Sequence, residues 1–483
     1  MINFTIAWIT LPFILGFVIY LLPKFDKYLA LFGVLISLGY SLTILLTNQS
    51  LNLELLDNFG VTLTVDNLSS YFVLTNSIVT LAVIIYCWQR EKIAFFYAQI
   101  ILLHGSLNSA FLTTDFISLY VALEVIGMIA FVLIAYPRTD KSIWVAFRYL
   151  FVGGIVLLFY LAGAILVYKA NLSFRFEGLI NAPPEALVLI ILGLFVKGGV
   201  FLSGLWLPLT HSEAETPVSA LLSGIVVKAS ILPLIRCAAI SEDVDFIVRV
   251  FAVATALLGV VYALFEKDIK RLLAFSSISQ MGFILASPSV GGFYALTHGL
   301  AKCTLFLCAG NLPSRNLSEL KNQPININLW IPLSLASLSA VGFPFFSSFE
   351  AKALTYQNLL PWQVIPMNII AVGTGIYLVQ LILLPYKKNA QPKKYPYLEL
   401  AVTILIISIL AANIIYFSAY SFINILKALI TFAISCFCYA FIFRKNTIQI
   451  SRTLEQFEHL VGFMTLIPVL LYCILLMVHS PSL

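Results

Sequence analysis

Apolar runs of about twenty residues follow one another along this chain from end to end, and no other feature limits its fold so tightly. A helix rises about 1.5 Å per residue, so about twenty apolar residues cross the ~30 Å hydrocarbon core of a bilayer. About sixteen runs can be counted, centred near Phe13, Ile36, Val79, Leu103, Ile126, Leu157, Leu194, Ile225, Ala256, Ile278, Thr304, Ala336, Ile370, Ile407, Thr431 and Val469. The segments between them are too short for a soluble domain. Inside lipid the backbone N–H and C=O groups must be paired within the spanning segment, so the runs have to be helical. The chain therefore reads as an all-α polytopic membrane protein of about 14–16 transmembrane helices. Its composition agrees: 61% hydrophobic and 10% charged, with mean hydropathy +0.99, against ~45–50% and ~25% in soluble domains. The first run, Asn3 to Leu22, lacks a basic leader and a small-residue cleavage site and reads as a retained helix.

Lysine and arginine crowd the loops after the odd runs, from Lys24 and Lys27 through Arg90, Lys92, Arg138, Lys141, Lys267, Lys270, Arg271, Arg315 and Lys321 to Lys387, Lys388, Lys393, Lys394, Arg444, Lys445 and Arg452. Loops after the even runs carry few, mainly Lys169 and Arg175, while the acidic stretches Asn52 to Asn67 and Glu242 to Asp245 fall among them. The odd loops are thus expected on the cytoplasmic side. The net charge of +6 is spread over these short loops, which gives no basis for nucleic-acid binding. The seven cysteines include no C-x-x-C pair, so no metal or iron–sulfur site is expected.

Against that background the charges inside the apolar runs stand out. An ionisable side chain at mid-membrane costs ~2.5–3.5 kcal/mol on insertion scales, so each needs a reason to be there. Glu124, Lys197, Lys228, Lys302 and Lys352 occupy five different runs. Desolvation and a nearby carboxylate pull a lysine's proton affinity in opposite directions, and a lysine balanced between them can gain and lose a proton. One acid and several isolated lysines suit a proton relay better than static ion pairs. His298 lies four residues before Lys302, on the same helical face, and adds another titratable group. His104, near the middle of the fourth run, reads as a packing residue.

Two runs are interrupted. The seventh contains Gly198, Gly199, Ser203, Gly204 and then Leu205-Trp-Leu-Pro, and the twelfth contains Gly342-Phe-Pro344-Phe-Phe-Ser-Ser. Both combinations loosen a helix and free backbone groups, and both neighbour a lysine. An offset of five runs matches the seventh to the twelfth and Lys197 to Lys352, the pattern of a transporter with inverted repeats. The chain accordingly divides into N-terminal helices (1–94), a first five-helix repeat (95–236), a second (245–385) and C-terminal helices (386–483).

The segment from Lys197 to Arg236, Lys-Gly-Gly-Val-Phe-Leu-Ser-Gly-Leu-Trp-Leu-Pro-Leu-Thr-His-Ser-Glu-Ala-Glu-Thr-Pro and onward, resembles the signature of the antiporter-like subunits shared by respiratory complex I and Mrp-type sodium/proton antiporters. Glu266-Lys-Asp-Ile-Lys-Arg-Leu-Leu-Ala-Phe-Ser-Ser-Ile-Ser-Gln-Met-Gly, His298 to Gly310, and Thr114-Asp115 to Glu124 resemble further segments of that family. The resemblance implies two inverted five-helix bundles with discontinuous seventh and twelfth helices. It implies that Glu124 and Lys197 gate one half-channel, that Lys228, His298 and Lys302 form a central hydrophilic axis, and that Lys352 ends the other half-channel. Asp115 and His211 match family positions of accessory role. The family's usual proline after the seventh-span lysine is replaced here by Phe201-Leu-Ser-Gly204, and Glu350 beside Lys352 is a further departure. A lysine at position 352 leans towards the Mrp-like branch.

These readings converge on a proton- or cation-translocating subunit of an Mrp-like antiporter, in an energy-coupling membrane such as a bacterial plasma membrane or a thylakoid-like one. Protons, Na+ and other membrane subunits of a hetero-oligomer would be its partners. The alternatives are an antiporter-like subunit of a complex I type quinone oxidoreductase, and a structural subunit without a path of its own. No G-x-G-x-x-G after a strand and no C-x-x-C-H is present, so no cofactor or redox site of the chain's own is expected.

Overall fold

The computed structural model describes residues 2–388, 396–444, 448 and 450–479. Lys393, Lys394 and Lys445 of the basic loops lie outside them. Helices α1 (Ile2–Leu21) and α2 (Asp26–Thr47) lead into an antiparallel hairpin, β1 (Leu51–Glu54) with β2 (Thr62–Val65), in which Leu51 faces Val65. Helices α3 (Asn67–Cys87), α4 (Ala94–Leu112), α5 (Phe116–Ala135) and α6 (Asp140–Asn171) follow. The seventh pass consists of α7 (Pro184–Gly198) and α8 (Leu207–Glu213), and the eighth of α9 (Thr216–Gly224) and α10 (Ile231–Ile240). Then come α11 (Glu242–Phe265), α12 (Ile269–Ala286), α13 (Gly291–Ala309) and the single-turn α14 (Leu317–Leu320). The twelfth pass joins α15 (Ile327–Val341) to α16 (Ser347–Gln357), and a short parallel pair, β3 (Ile325–Asn326) with β4 (Tyr386–Lys387), closes beside it. Helices α17 (Pro361–Ile382), α18 (Pro396–Ala412), α19 (Phe422–Cys438) and α20 (Phe457–His479) complete the chain.

Among the described residues, twelve stretches are long and apolar enough to cross a bilayer on their own. Helices α12 and α13 are more polar because neither meets lipid: every residue of both is buried. With these two, the α15–α16 pair and α18, the passes among the described residues number sixteen. The protein is an all-α, multi-pass membrane protein. Small residues bring α12 close to α11: a Cβ on Gly259 would lie 2.3 Å from the Ser279 nitrogen, and one on Gly282 2.4 Å from the Ala252 oxygen. Without a hydrophobic drive between helices in lipid, such close crossings supply the packing that holds a bundle together.

The loops after odd and even passes gather on opposite faces. On the odd face Arg271 joins Glu266 (2.9 Å) and Glu455, Arg452 also reaches Glu266 (3.0 Å), Arg315 holds Asp268 (2.8 Å) and Lys141 holds Glu213 (2.9 Å). Burial pushes the Glu266 carboxyl up, but the Arg271 and Arg452 charges outweigh it and hold the group below its ordinary range. On the even face Asp66 caps α3 through the Ser69 N–H (2.8 Å) and takes two bonds from Arg236 (2.9 and 3.0 Å). These clamps tie helix ends that are far apart in sequence.

Among the described residues three passes are interrupted, one more than the sequence suggests. At the end of α7 the Val200 N–H reaches the Phe195 carbonyl (2.9 Å) and the Gly199 N–H the Val196 carbonyl (3.3 Å); at the end of α15 the Phe343 N–H reaches Leu338 (3.0 Å) and the Gly342 N–H reaches Ser339 (2.8 Å). Both are the same left-handed helix stop. Gly199 at φ +68° and Gly342 at φ +84° occupy its left-handed position, which a side chain resists. Glycine therefore makes the seventh-pass break without the missing proline. The eighth pass breaks at Gly224, followed by a 3₁₀ turn over Val226–Ala229, where neither proline nor a glycine pair announces it.

Candidate functional site

The Lys197 side chain, one residue from the end of α7, enters a recess made by missing side chains. A Cβ on Gly127 of α5 would stand 2.9 Å from its Nζ, and one on Gly153 of α6 would stand 2.6 Å away. The ring of Tyr149 lies 5.6 Å from the same nitrogen. Glu124 of α5 is within electrostatic reach of Lys197 and of Tyr120, and forms no direct ion pair with the lysine. Two small residues therefore place an acid and a base near each other without fusing them.

Lys228 sits in the eighth-pass break and is fully buried. Its Nζ turns back to donate to the carbonyls of Gly224 (2.6 Å) and Ser223 (3.0 Å), which the end of α9 leaves free. Gly198, next to Lys197, packs on Ser230 and Ile231, just beyond Lys228, and so brings the two breaks side by side. His298 and Lys302 lie one turn apart on α13, 2% and 1% exposed. His298 is within electrostatic reach of both Lys228 and Lys302, and neither of its ring nitrogens has a hydrogen-bond partner. Lys302 donates to the Leu273 carbonyl (2.9 Å) and to the Ser276 hydroxyl. Three titratable nitrogens with no carboxylate among them thus share whatever protons the cluster holds.

The link from this cluster to Lys352 runs along α12, through residues that a search for charges passes over. The Ser223 and Ser277 hydroxyls meet at 2.6 Å, connecting the Lys228 anchor to α12. The Tyr377 hydroxyl of α17 faces Ser276, Ser279 and Gln280, and Tyr294 donates to Gln280 Oε1 (2.8 Å). Phe283 stacks on Tyr294 (6.0 Å between ring centres), and the Lys352 ammonium lies 5.2 Å from the Phe283 ring centre. Lys352 itself donates to the Val341 carbonyl (2.7 Å), the last of α15. The signal for this row was in the sequence as Ser276-Ser-Ile-Ser-Gln280, a polar stretch inside an apolar run.

Other singled-out residues fall elsewhere. Asp115 lies outside the row: it caps α5 through the Ser118 N–H (2.7 Å) and holds the Thr62 N–H (2.8 Å) and hydroxyl (3.1 Å), so its oxygens serve the even-face loops. His211 of α8 is buried against the Phe306 ring (5.0 Å), within electrostatic reach of Lys302 and Lys270 and beside the Ser219 backbone. Glu350 is fully buried on the side of α16 towards α18; its Oε2 accepts from the Tyr416 N–H (3.3 Å) and its Oε1 has no partner. His104 forms a separate knot with Ser37 (2.9 Å) and Asn108 (3.2 Å). Among the described residues no group of three His, Cys, Asp or Glu side chains could hold a metal ion.

Lys228, Lys302 and Lys352 are held by neutral acceptors, carbonyls and hydroxyls, in place of carboxylates. A carboxylate would trap the ammonium proton, whereas a carbonyl also accepts from the neutral amine, which keeps two N–H donors. Each of these three lysines therefore has an anchored position in either protonation state.

The family model described as NADH:quinone oxidoreductase/Mrp antiporter, TM, matches residues 113–377, more than half of the chain. The chain is 29% identical over 334 residues to NADH-quinone oxidoreductase subunit N of Desulforudis audaxviator, covering 61% of this chain and 66% of that one. It is 28% identical over 374 residues to a Na(+)/H(+) antiporter subunit of Bacillus subtilis, covering 66% of this chain and 46% of the relative. The chain thus spans about half the length of the antiporter relatives it matches. In structure it is similar to a chain of the archaeal membrane-bound sulfane sulfur reductase, with TM-score 0.75 at 21% identity over 90% of this chain and 98% of that one. It is also similar to a chain of respiratory complex I from Thermus thermophilus, with TM-score 0.73 at 21% identity over 88% and 98% of the two chains. At that identity the likeness is one of fold.

Proposed function

The chain belongs to the NADH:quinone oxidoreductase/Mrp antiporter transmembrane family, and on that premise we propose that it is a proton- or cation-translocating membrane subunit of a multisubunit, Mrp-like cation/proton antiporter. The observation that carries this reading is the row from the half-buried Glu124 and Lys197, through the buried Lys228, His298 and Lys302, to the buried Lys352, with carbonyls and hydroxyls holding Lys228, Lys302 and Lys352. Charged groups inside a membrane protein mark ion paths unless they are locked into pairs. In this reading residues 95–236 and 245–385 each form a half-channel, broken at Gly198, Gly199 and Gly204 in one and at Gly342 and Pro344 in the other. The polar face of α12 joins them. Protons and Na+ are the transported ions, and other membrane subunits complete the assembly in a bacterial plasma membrane or thylakoid-like membrane.

The test is cation-dependent proton flux in inverted vesicles carrying the whole native complex, comparing wild type with Glu124→Ala and Lys197→Ala. Both variants should assemble and lose flux. Undiminished flux in an assembled complex would make these charges structural and remove the relay.

A second reading has its own support in the likeness to quinone oxidoreductase subunits, such as NAD(P)H-quinone oxidoreductase chain 5 of Synechocystis, 27% identical over 345 residues. There the same row would be driven by quinone reduction in partner subunits. Copurification from native membranes decides between them: redox subunits with quinone reductase activity would replace the antiporter assignment.

A further inference from the structure

A cavity of about 500 Å³ lies between α16, α17 and α19, within the size range of pockets that enclose a small molecule. Its lining changes character with depth. At the even-loop face, where α16 ends and α17 and α19 begin, it is lined by Gln357, Asn368, Asn424 and Lys427, none more than about 10 Å along its helix from that face. Farther in, Val341, Phe349, Ala371, Val372, Ile430 and Ile434 form an apolar wall. The other polar groups along the cavity are engaged: the Thr431 hydroxyl donates to the Lys427 carbonyl (2.8 Å), Tyr356 to the Met367 carbonyl (3.0 Å), and Lys352, at the inner end, to the Val341 carbonyl (2.7 Å). A polar, positively charged mouth above an apolar wall matches an amphiphile with a negative head.

Lys427 is the group that calls for a counter-ion. It stands inside an apolar run, towards the side of the membrane where lysine and arginine are scarce. No aspartate or glutamate lines the cavity, and no ion pair or side-chain hydrogen bond engages the Lys427 ammonium among the described residues. Helical side chains lean towards the helix N-terminus, so the ammonium rises towards Asn424, one turn nearer the even-loop face. An oxyanion at that level takes a charge-assisted bond from Lys427. It also meets the second N–H of the Asn424 amide, whose first goes to the Ala419 carbonyl (2.9 Å). A zwitterionic head would bring an ammonium for which the lining offers no acid. We propose that the cavity holds an anionic phospholipid of the leaflet at the even-loop face, its phosphate on Lys427 and one acyl chain along the apolar wall. Basic pockets between membrane helices recognise anionic lipid heads on the same physical ground. The inference needs only the fold and stands apart from the relay reading.

The test is photo-crosslinking in vesicles that carry the whole complex. A trace of phosphatidylglycerol or of phosphatidylcholine, each with a diazirine in one acyl chain, is added to the vesicles, and crosslinked peptides are identified by mass spectrometry. The phosphatidylglycerol probe should label the peptides around Val372 and Ile434 about fivefold more than the phosphatidylcholine probe, the contribution of one basic residue. Lys427→Arg should keep that preference and Lys427→Glu should erase it. Lys427→Gln should reduce it and serves if the glutamate variant fails to assemble. Excess inorganic phosphate should leave the labelling unchanged. Equal labelling by the two probes, absence of label from these peptides, or a preference that ignores the charge at position 427 overturns the proposal. Displacement by inorganic phosphate overturns it too, since the site would then take a free anion. Labelling requires no transport, so its failure leaves the relay standing, and a failed relay leaves the labelling result intact.

Discussion

Gly153 offers a way to move the Lys197 ammonium without touching any titratable group. A methyl there would sit 2.6 Å from Nζ and 3.1 Å from Cε. Ordinary contacts begin near 3.4 Å, so the ammonium has to retreat by about 1 Å, which a flexible lysine end does at little cost. Alanine also favours the helix over glycine by up to about 1 kcal/mol, so Gly153→Ala should fold at least as well as wild type. Proton transfer is less tolerant, since a misplacement of about 1 Å can lower a positioned reaction by about 100-fold. Flux in native-complex vesicles, normalised to assembled complex, should fall by roughly 10- to 100-fold on that scale. Gly127→Ala, with its contact at 2.9 Å, should fall less. Gly154→Ala is the internal control, because a methyl there meets nothing within 4 Å. Equal flux in Gly153→Ala and Gly154→Ala would refute the claim that the ammonium's position in this recess matters to transport.

Ser276→Ala removes the hydroxyl that Lys302 holds while leaving its bond to the Leu273 carbonyl. The complex should assemble and flux should drop several-fold, with Ser276→Thr retaining more; unchanged flux would exclude α12 from the path. For Asp66, burial raises the carboxyl, but the Arg236 charge and bonds outweigh it and hold the group below its ordinary 3.8. The folded state then binds this proton less readily than the unfolded chain, so the stabilisation is full above pH 3.8 and fades as pH falls through the lower folded value. Asparagine caps a helix about as well as aspartate, so Asp66→Asn isolates the ion pair. It should cost about 1 kcal/mol near neutrality, and its thermal midpoint should converge on wild type as the pH drops below 3.8.

The spans were legible because hydropathy and bilayer thickness leave a run of this length one outcome, and the Gly199 and Gly342 stops because a glycine cluster in one run and a glycine followed by Pro344 in the other free the backbone. The eighth-pass break was hidden: Lys228 holds it open by capping α9 from four residues away, a tertiary choice with no local signature. Asp115 reads in sequence as the acid opening a motif, yet a polar residue just before an apolar helix is also a cap, and the cap is what the Ser118 and Thr62 bonds show. Hydroxyls escape notice for a different reason. Serine costs little in an apolar run, so Ser276 and Ser277 raise no alarm until tertiary packing sets them against Lys302, Tyr377 and Ser223.

The row along α12 has one further consequence. Serine and tyrosine hydroxyls and a glutamine amide each both give and receive hydrogen bonds, so the polar stretch from Ser276 to Tyr294 has no built-in arrow, and it stops at the Phe283 ring, short of Lys352. Hydrogen bonds within that stretch can point in either sense. If this stretch works as a wire, the rectifier has to lie beyond its ends, where Lys302 is held at the Leu273 carbonyl and where Phe283 parts Tyr294 from Lys352.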